Sequence, residues 1–169
     1  MKAFRKISAE EIGKTPFELI GKDWMLVTAQ KPDGSVNTMT ASWGGLGVMW
    51  GKNVAFAVIR PQRYTKEFID NGERFSLTFF QEQYKKELGY LGKVSGRDED
   101  KIAKCGLTIA HEGDTPYFEE GGLVLLCRKL FAQPMDEDAF LEPAVLEQWY
   151  PAKDYHTMYI AEIESVLAE

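Results

Sequence analysis

The sequence predicts a mainly β protein, an antiparallel β-barrel decorated with short helices. Roughly seven segments have the composition and apolar spacing of strands. The helical segments between them are short, and strands and helices do not alternate in the regular order of a doubly wound parallel sheet. The chain has 169 residues. We therefore expect residues 1–169 to form a single domain with its own core.

The first predicted elements are a short helix and a β-hairpin. The helix, residues 8–12, begins with a capping box, Ser-Ala-Glu-Glu. Strands are predicted over residues 23–30 and 35–41. The Lys-Pro-Asp-Gly sequence of residues 31–34 lies between them and is typical of a hairpin turn.

A glycine-rich run, residues 44–51, leads to the next predicted strand, residues 54–59. This strand is apolar at nearly every position, which predicts burial on both faces. The run is not a dinucleotide loop, because Trp50 stands where the GxGxxG pattern needs a glycine and no helix follows. It is either a flexible hairpin or a loop that covers a ligand.

The second part of the chain continues with alternating short elements. Thr65 is predicted to cap a helix of about two turns that ends at Asn71-Gly72. Phe75, Leu77 and Phe79 alternate with polar residues, which predicts a half-buried strand. Further helices are predicted over residues 81–91 and from Asp98 to Gly106, and further strands over residues 107–111, 122–132 and 155–166.

Charge and composition exclude several classes of partner. The net charge is −6, with 44% hydrophobic and 27% charged residues, values typical of a soluble globular protein. Nucleic acids and acidic membranes favour basic surfaces, so we expect neither as a partner. Any anion site in this acidic protein has to be built locally.

The cysteines and histidines predict neither a disulfide framework nor a metal site. Cys105 and Cys127 are isolated and lack CxxC spacing. His111 and His156 are the only histidines, and neither has a partner at metal-ligand spacing. With no apolar run long enough for a signal peptide or a membrane span, a cytoplasmic location with reduced thiols is expected.

A basic turn, residues 60–65, joins the apolar strand to the following helix and reads Arg-Pro-Gln-Arg-Tyr-Thr. Arg60, Arg63 and the Thr65 hydroxyl could bind a phosphate together with free backbone N–H groups at the helix start. The alternative is that both arginines are ordinary surface charges.

The segment before the glycine run could lie beside a flat aromatic ligand, because its small residues end in Trp43. Ser42 is expected to donate a hydrogen bond rather than to act as a nucleophile, since Thr40 stands where a nucleophile elbow needs glycine. A second basic turn, residues 93–98, either only precedes a helix or brings Lys93 or Ser95 to the same ligand. Together these segments predict a phosphorylated, ring-bearing cofactor.

Four segments carry a resemblance to the flavin reductase-like family, most closely to its flavoredoxin-like group. They are residues 37–43 (NTMTASW), 60–65 (RPQRYT), 95–98 (SGRD) followed by Lys101, and 156–163 (HTMYIAEI). The resemblance extends from about Phe17 to Val166. It implies the FMN-binding split-barrel fold and a homodimer with FMN near the subunit interface.

The resemblance also implies roles for particular residues. Residues 40–43 would line the isoalloxazine, while Arg63 and Thr65 would hold the phosphate with Arg60 and Lys93 nearby. The full set of implied cofactor-binding residues is Asn37, Thr40, Ala41, Ser42, Trp43, Arg60, Arg63, Tyr64, Thr65, Lys93 and Ser95.

His156 is the candidate catalytic residue, at the head of the last strand. With an ordinary pKa near neutrality, it could offer a hydrogen bond or a positive charge to an incoming donor. The alternative is a structural histidine. Family members that reduce free flavin with NAD(P)H often carry Gly-Asp-His before this strand, whereas residues 153–156 here read Lys-Asp-Tyr-His, which keeps the histidine without that spacing.

The activity implied by the resemblance is that of an FMN-dependent oxidoreductase. FMN would accept a hydride from NADH or NADPH and pass electrons to a flavin, a metal complex or a protein, and no side chain need act as a covalent catalyst. The alternative is an FMN-binding electron carrier without nicotinamide-dependent turnover.

Overall fold

The protein is mainly β, as a computed structural model that describes residues 3–169 shows. Met1 and Lys2 of the predicted domain lie outside the described residues. The strands are β1 (Arg5–Ile7), β2 (Met25–Gln30), β3 (Val36–Ala41), β4 (Gly44–Met49), β5 (Lys52–Ile59), β6 (Arg74–Phe79), β7 (Ile109–Glu112), β8 (Thr115–Phe118), β9 (Leu123–Pro134) and β10 (Thr157–Ala168). The α-helices are α1 (Thr65–Asn71), α2 (Lys85–Lys93), α3 (Lys101–Lys104) and α4 (Pro143–Trp149), and the other helical turns are Ala9–Glu11, Phe17–Asp23, Glu82–Tyr84 and Glu137–Ala139.

Eight strands form one sheet in the order β3-β2-β6-β9-β10-β5-β4, with β1 beside β10, and all of the pairs are antiparallel. The edge strands β3 and β4 are joined by only Ser42 and Trp43. The three steps from Ala41 to Gly44 cover at most about 11 Å. The sheet must therefore curl until its two edges meet, which produces a barrel that is split between β3 and β4.

The main core fills the inside of the curled sheet. Met25, Val27, Phe75, Leu77 and Tyr159 lie there with almost no exposure. A second apolar cluster packs helices α2 and α3 against the outside of β2, and its buried members are Leu26, Phe80, Leu88, Leu91, Ile102, Leu107 and Phe118. These two helices therefore have a fixed position relative to β2 and to its neighbour β3.

Strand β6 is buried on both faces, so the prediction of a half-buried strand was wrong. Ser76 and Thr78, expected to face solvent, are completely buried. The small β7–β8 hairpin lies over this face, and the Ser76 hydroxyl donates to the Pro116 carbonyl at 2.6 Å. A covering element from a distant part of the chain cannot be inferred from alternation within the strand.

Two predicted helix starts are shifted in the structure. The N-cap position of α1 is Tyr64, and Thr65 is its first helical residue. Helix α3 begins at Lys101 rather than near Asp98, because the Asp100 carboxylate accepts from the Ala103 N–H at 3.0 Å and caps it there. The N-cap is thus one residue before the predicted cap in α1 and two residues after the predicted start in α3.

The glycine-rich run forms a β-hairpin, which was one of the two structures predicted for it. Strand β4 pairs with β5, and Trp50 and Gly51 form the turn with φ values of 52° and 69°. Two successive positive φ values are those of a type I′ turn, which suits the twist of a hairpin. The hairpin is therefore an ordered edge of the barrel.

The sequence analysis missed several short elements. Strand β1 has three residues, too few for a recognisable pattern. Strand β8 contains Pro116, which argues against a strand when only the sequence is known. Helix α4 buries none of its residues and so has no apolar face to detect.

Candidate cofactor-binding site

A cavity of about 120 Å³ lies where β3, the turn before α1 and the loop after α2 meet. Six of the residues expected to bind the cofactor line it: Asn37, Arg63, Tyr64, Thr65, Lys93 and Ser95. The other lining residues are Met39, Gln62, Gly92, Val94, Gly96 and Lys101. The fold thus brings three segments that are distant in the sequence into one site, which we call the anion cavity.

Asn37 connects the three walls of the anion cavity. Its side-chain amide donates to the Thr65 hydroxyl at 3.0 Å, and both residues are buried. The backbone of Gly96 approaches from the third wall, and a Cβ there would lie 2.2 Å from Asn37 Oδ1. The Thr65 hydroxyl accepts from Asn37 and keeps its own hydrogen for another acceptor.

Arg63 brings an uncompensated positive charge to the cavity. No ion pair or side-chain hydrogen bond of Arg63 is present within residues 3–169, and burial lowers the pKa of its guanidinium. A partly dehydrated guanidinium needs an anion or several acceptors to recover its lost hydration. This environment differs from that of an ordinary surface arginine.

Two lysines add to the positive charge of the cavity. Lys93 is exposed at the end of α2, and Lys101 is buried with 3% of its surface exposed. Burial, and then the charge of Arg63, lowers the pKa of Lys101 to about 8. Among residues 3–169, three cations and no carboxylate line this cavity, in a protein of net charge −6. The arrangement suits a multiply charged anion such as a phosphate.

Lys101 was not among the site residues expected from the sequence, although it stands just beyond the SGRD segment. A signal was available in the sequence: a cation in the first turn of a helix opposes the helix macrodipole, so such a lysine usually has another role. Its partners, however, become visible only in the folded chain.

Backbone N–H groups of the basic turn contribute less than expected. The Arg63 N–H donates to the Arg60 carbonyl at 3.2 Å, and the Lys66 N–H to the Arg63 carbonyl at 3.0 Å. The Glu67 N–H also donates, to the Tyr64 carbonyl at 3.1 Å. These three N–H groups are therefore not free to bind an anion.

Arg60 lies outside the lining of the anion cavity. Its guanidinium pairs with the Asp154 carboxylate at 2.7 Å and donates to the Trp149 carbonyl at 2.9 Å. It also lies over the Tyr150 ring, 5.1 Å from the centroid. Arg60 thus holds residues 149–154 in place, and the structure separates it from the group around Arg63.

The Thr40–Trp43 segment leads from the anion cavity towards a second cluster of side chains, which consists of Trp43, Trp149, Tyr150 and His156. The Thr40 hydroxyl donates to the Leu88 carbonyl at 2.6 Å, and Ala41 ends β3 opposite Met25. Ser42 and Trp43 lie between the β3 and β4 ladders and are exposed. The backbone of these two residues, the Ser42 hydroxyl and the Trp43 ring are therefore the groups this segment presents.

His156 lies in the second cluster, against the Trp43 ring at a centroid distance of 5.0 Å. Its Nδ1 and the Tyr150 hydroxyl are 2.7 Å apart. Burial, and then the positive charge of Arg60, lowers the pKa of His156 to about 4. The imidazole is therefore neutral at pH 7, and the expectation of a pKa near neutrality was wrong. It can offer a hydrogen bond but no positive charge.

Trp149 covers another side of Trp43. The two indole rings meet edge to face with their centroids 4.9 Å apart. Trp43 is thus contacted by Trp149 and by His156, both from the segment that Arg60 holds. This second cluster lies beside the β3 end, four residues and about 13 Å along the strand from Asn37.

A larger cavity of about 670 Å³ adjoins the anion cavity and shares Asn37, Tyr64, Gly96 and Lys101 with it. Its lining includes two carboxylates, Glu99 and Asp100, so it is less suited to an anion. The Tyr64 ring that both cavities share is already covered by the Arg97 guanidinium, 4.5 Å from the ring centroid.

Three further features bear on the sequence-based expectations. Within residues 3–169, no three side chains of His, Cys, Asp or Glu are grouped as metal ligands. In the same range, no helix combines the length and apolar character needed to cross a bilayer. Cys105 and Cys127 are free thiols, and burial raises the pKa of both.

Comparison with known proteins gives a family match and a set of similar folds. The family model described as the flavin reductase like domain matches residues 18–169. No curated protein sequence matches significantly. The FMN-binding domain of a flavin reductases-like enzyme from Shewanella baltica OS155 superposes with a TM-score of 0.70 at 18% identity, over 98% of this chain and 77% of that chain.

Two further solved structures are similar. Flavoredoxin of Desulfovibrio vulgaris (Miyazaki F) has a TM-score of 0.69 at 21% identity, over 96% of this chain and 77% of its own. A split barrel domain protein from Shewanella frigidimarina NCIMB 400 has a TM-score of 0.69 at 19% identity, over 88% and 67%. At these identities the similarity establishes the fold, and it confirms the prediction of a split barrel.

Proposed function

The chain belongs to the flavin reductase like domain family, and from this premise we propose that it is an FMN-binding oxidoreductase. It takes electrons from NADH or NADPH and passes them to a flavin, a metal complex or a protein. The observation that carries the proposal is the anion cavity, where three cations and, among the described residues, no carboxylate surround a space beside Asn37 and Met39 of β3.

The described residues fit a flavin that carries a terminal phosphate. Arg63 and Lys93 offer charge-assisted hydrogen bonds to the phosphate, and the hydroxyls of Thr65 and Ser95 line the same cavity. The ring system would lie along residues 40–43, beside the Trp43 indole. Once bound, FMN supplies the hydride and electron chemistry. The role of the protein is to bind and orient FMN.

His156 acts in this proposal as a neutral hydrogen-bond donor. When the Tyr150 hydroxyl donates to Nδ1, the imidazole hydrogen is on Nε2. The Nε2–H group can then donate to a reductant or acceptor that lies beside Trp43. Arg60 supports this arrangement indirectly, because it holds both Trp149 and Asp154.

Purification followed by extraction of the bound chromophore tests the proposal. We expect a flavin absorption spectrum and FMN, rather than FAD or riboflavin, on chromatography. Steady-state consumption of NADH or NADPH then separates the enzyme from an electron carrier. Protein that takes up no flavin on reconstitution, or mainly FAD, contradicts the FMN assignment. FMN without nicotinamide consumption favours the carrier.

The role of His156 can be separated from a structural one. His156→Ala should leave FMN content and Tm close to wild type, while kcat/KM for NAD(P)H falls roughly tenfold through loss of one hydrogen bond. Because its pKa is about 4, His156 should contribute no titration to kcat/KM near neutral pH.

The matched control is His111→Ala, because His111 is exposed on β7 and bonds to Gln30. This variant should keep wild-type turnover. Full activity in His156→Ala, or a large loss of its Tm, would assign His156 to the scaffold.

We also propose that the protein is a homodimer in the cytoplasm. An exposed apolar patch at the β4–β5 turn supports dimerisation: Val48 is 75% exposed, Trp50 is 56% exposed, and the Trp50 ring reaches Phe131 with a centroid distance of 6.3 Å. Light scattering at micromolar concentration should give twice the chain mass of 19.2 kDa, and Trp50→Glu should lower that mass. A wild-type mass of one chain contradicts the dimer.

A further inference from the structure

Lys101 is a buried lysine without an acidic partner. It begins α3, and within residues 3–169 it forms no ion pair. Instead, its ammonium donates to the carbonyls of Leu91 and Val94, each at 2.8 Å. Lysines are rarely this buried unless they are paired, so the position calls for a specific reason.

The two carbonyls lie where α2 ends. The last carbonyls of a helix have no partner within the helix, and here the ammonium of another helix satisfies them. Lys101 itself is held at the start of α3 by the Asp100 cap. It therefore bridges the end of α2 to the start of α3 and holds residues 92–96, which comprise the last two residues of α2 and the start of the loop that follows; these five residues are called the loop after α2 below.

This loop forms one wall of the anion cavity. It carries Lys93 and Ser95, which line the cavity, and Gly96, whose backbone fits against Asn37. A loop with two glycines has little conformational preference of its own. The hydrogen bonds of Lys101 therefore help to fix its shape, together with those from the Val94 N–H to the Tyr90 carbonyl and from the Asp98 N–H to the Ser95 carbonyl.

Charges of both signs lie around Lys101, and they line different cavities. Arg63 and Lys93 line the same cavity, and the Cys105 thiol lies one turn further along the chain. On the opposite side, Glu99 and Asp100 line the adjoining larger cavity. An ammonium has three hydrogens, and the two carbonyls use two of them. One hydrogen therefore remains without a protein acceptor among the described residues.

We propose that Lys101 is a positioning residue for the flavin phosphate. Its ammonium holds the loop after α2 in the shape that presents Lys93 and Ser95 to the anion cavity. The proposal rests on the FMN-binding function proposed above. The charged ammonium donates more strongly to the two carbonyls than a neutral amine would, and only the charged form adds a positive field beside Arg63. A bound phosphate stabilises this charged form.

The direction of the pH dependence follows from linkage. Burial lowers the pKa of Lys101 to about 8 in the free protein, and a nearby phosphate raises that pKa. FMN binding above pH 8 therefore takes up a proton, and the affinity falls as the pH rises through this region. Riboflavin, which lacks the phosphate, should bind with little dependence on pH there.

Titration of FMN and riboflavin at about pH 7 and about pH 9.5, on either side of the lowered pKa, tests the proposal. Wild type should lose roughly tenfold in FMN affinity between the two pH values. Lys101→Met should lose roughly tenfold at pH 7, with little further change at pH 9.5. Lys101→Arg, which stays charged, should restore part of the affinity at the higher pH.

Hydrogen exchange of the flavin-free protein gives an independent readout. Amides of residues 92–96 should exchange faster in Lys101→Met than in wild type, and other regions should not. Lys104→Met is the matched control, because Lys104 belongs to the same helix but is exposed and pairs with Glu99. It should behave as wild type in both experiments.

Wild-type FMN affinity and unchanged exchange of residues 92–96 in Lys101→Met would overturn the inference while leaving the proposed function intact. If Lys101→Met does not fold, the FMN affinity of the wild type at the two pH values tests the inference instead. An FMN affinity that is equal at both pH values overturns the inference. Failure of the wild type to bind FMN at all would instead remove the proposed function.

Discussion

Arg63→Ala is expected to weaken FMN binding about ten- to a hundredfold while barely changing riboflavin binding. The loss corresponds to one charge-assisted contact to the phosphate, roughly 1.5–3 kcal/mol. Arg63 forms no ion pair within the described residues, so its removal leaves no protein charge unpaired. Fluorescence titration with the two flavins measures the difference directly.

Arg60→Ala is the matched control, because the two arginines belong to the same turn but have different partners. Arg60 is occupied by Asp154 and by the Trp149 carbonyl. Its removal should leave FMN affinity near the wild-type value and should instead disturb the segment that carries His156. An equal loss of FMN and riboflavin binding in Arg63→Ala would mean that Arg63 supports the fold.

Gly96→Ala should damage both the fold and the cofactor site. The new methyl group would lie 2.2 Å from Asn37 Oδ1, and Asn37 is buried and bonded to Thr65. Either the loop after α2 or the Asn37 side chain must move. Overpacking of this kind costs about 1–3 kcal/mol in the free energy of unfolding. FMN affinity should also fall, because both displaced groups line the anion cavity.

Gly89→Ala controls for the change from glycine to alanine. Gly89 lies within α2, and a Cβ there would meet no atom within 4 Å apart from the backbone of its own helix. Alanine should therefore stabilise the helix by roughly 0.5–1 kcal/mol and leave FMN binding unchanged. Urea denaturation and FMN titration of both variants test the pair. If Gly96→Ala behaves like Gly89→Ala, the close approach to Asn37 has no energetic importance.

Predictions from the sequence succeeded where local chemistry decides the structure. The Pro-Asp-Gly turn predicts the β2–β3 hairpin because those residues favour the turn conformation themselves. The uninterrupted apolar run of β5 predicts a buried strand for a similar reason. Prediction failed for β6, because the β7–β8 hairpin that buries Ser76 belongs to another part of the chain.

Several of the residues expected at the site from the four resemblance segments lie together in the structure. Arg63, Thr65, Lys93 and Ser95 do line one cavity. Their roles towards FMN remain predictions for the titrations above to test. Lys101 was not assigned to the site, because the Leu91 and Val94 carbonyls that hold it are brought to it only by folding.

By itself, the sequence determined the β-rich fold class and the main hairpin, and it supplied the residue types from which an anion site is proposed, since periodicity, turn chemistry and charge are properties of neighbouring residues. Only the tertiary structure decided how each charge is used. Arg60 binds Asp154 and leaves the anion cavity to Arg63, while burial keeps His156 neutral. The physical reason is that hydrogen-bond partners and dehydration come from residues far apart in the chain, and only folding brings these together.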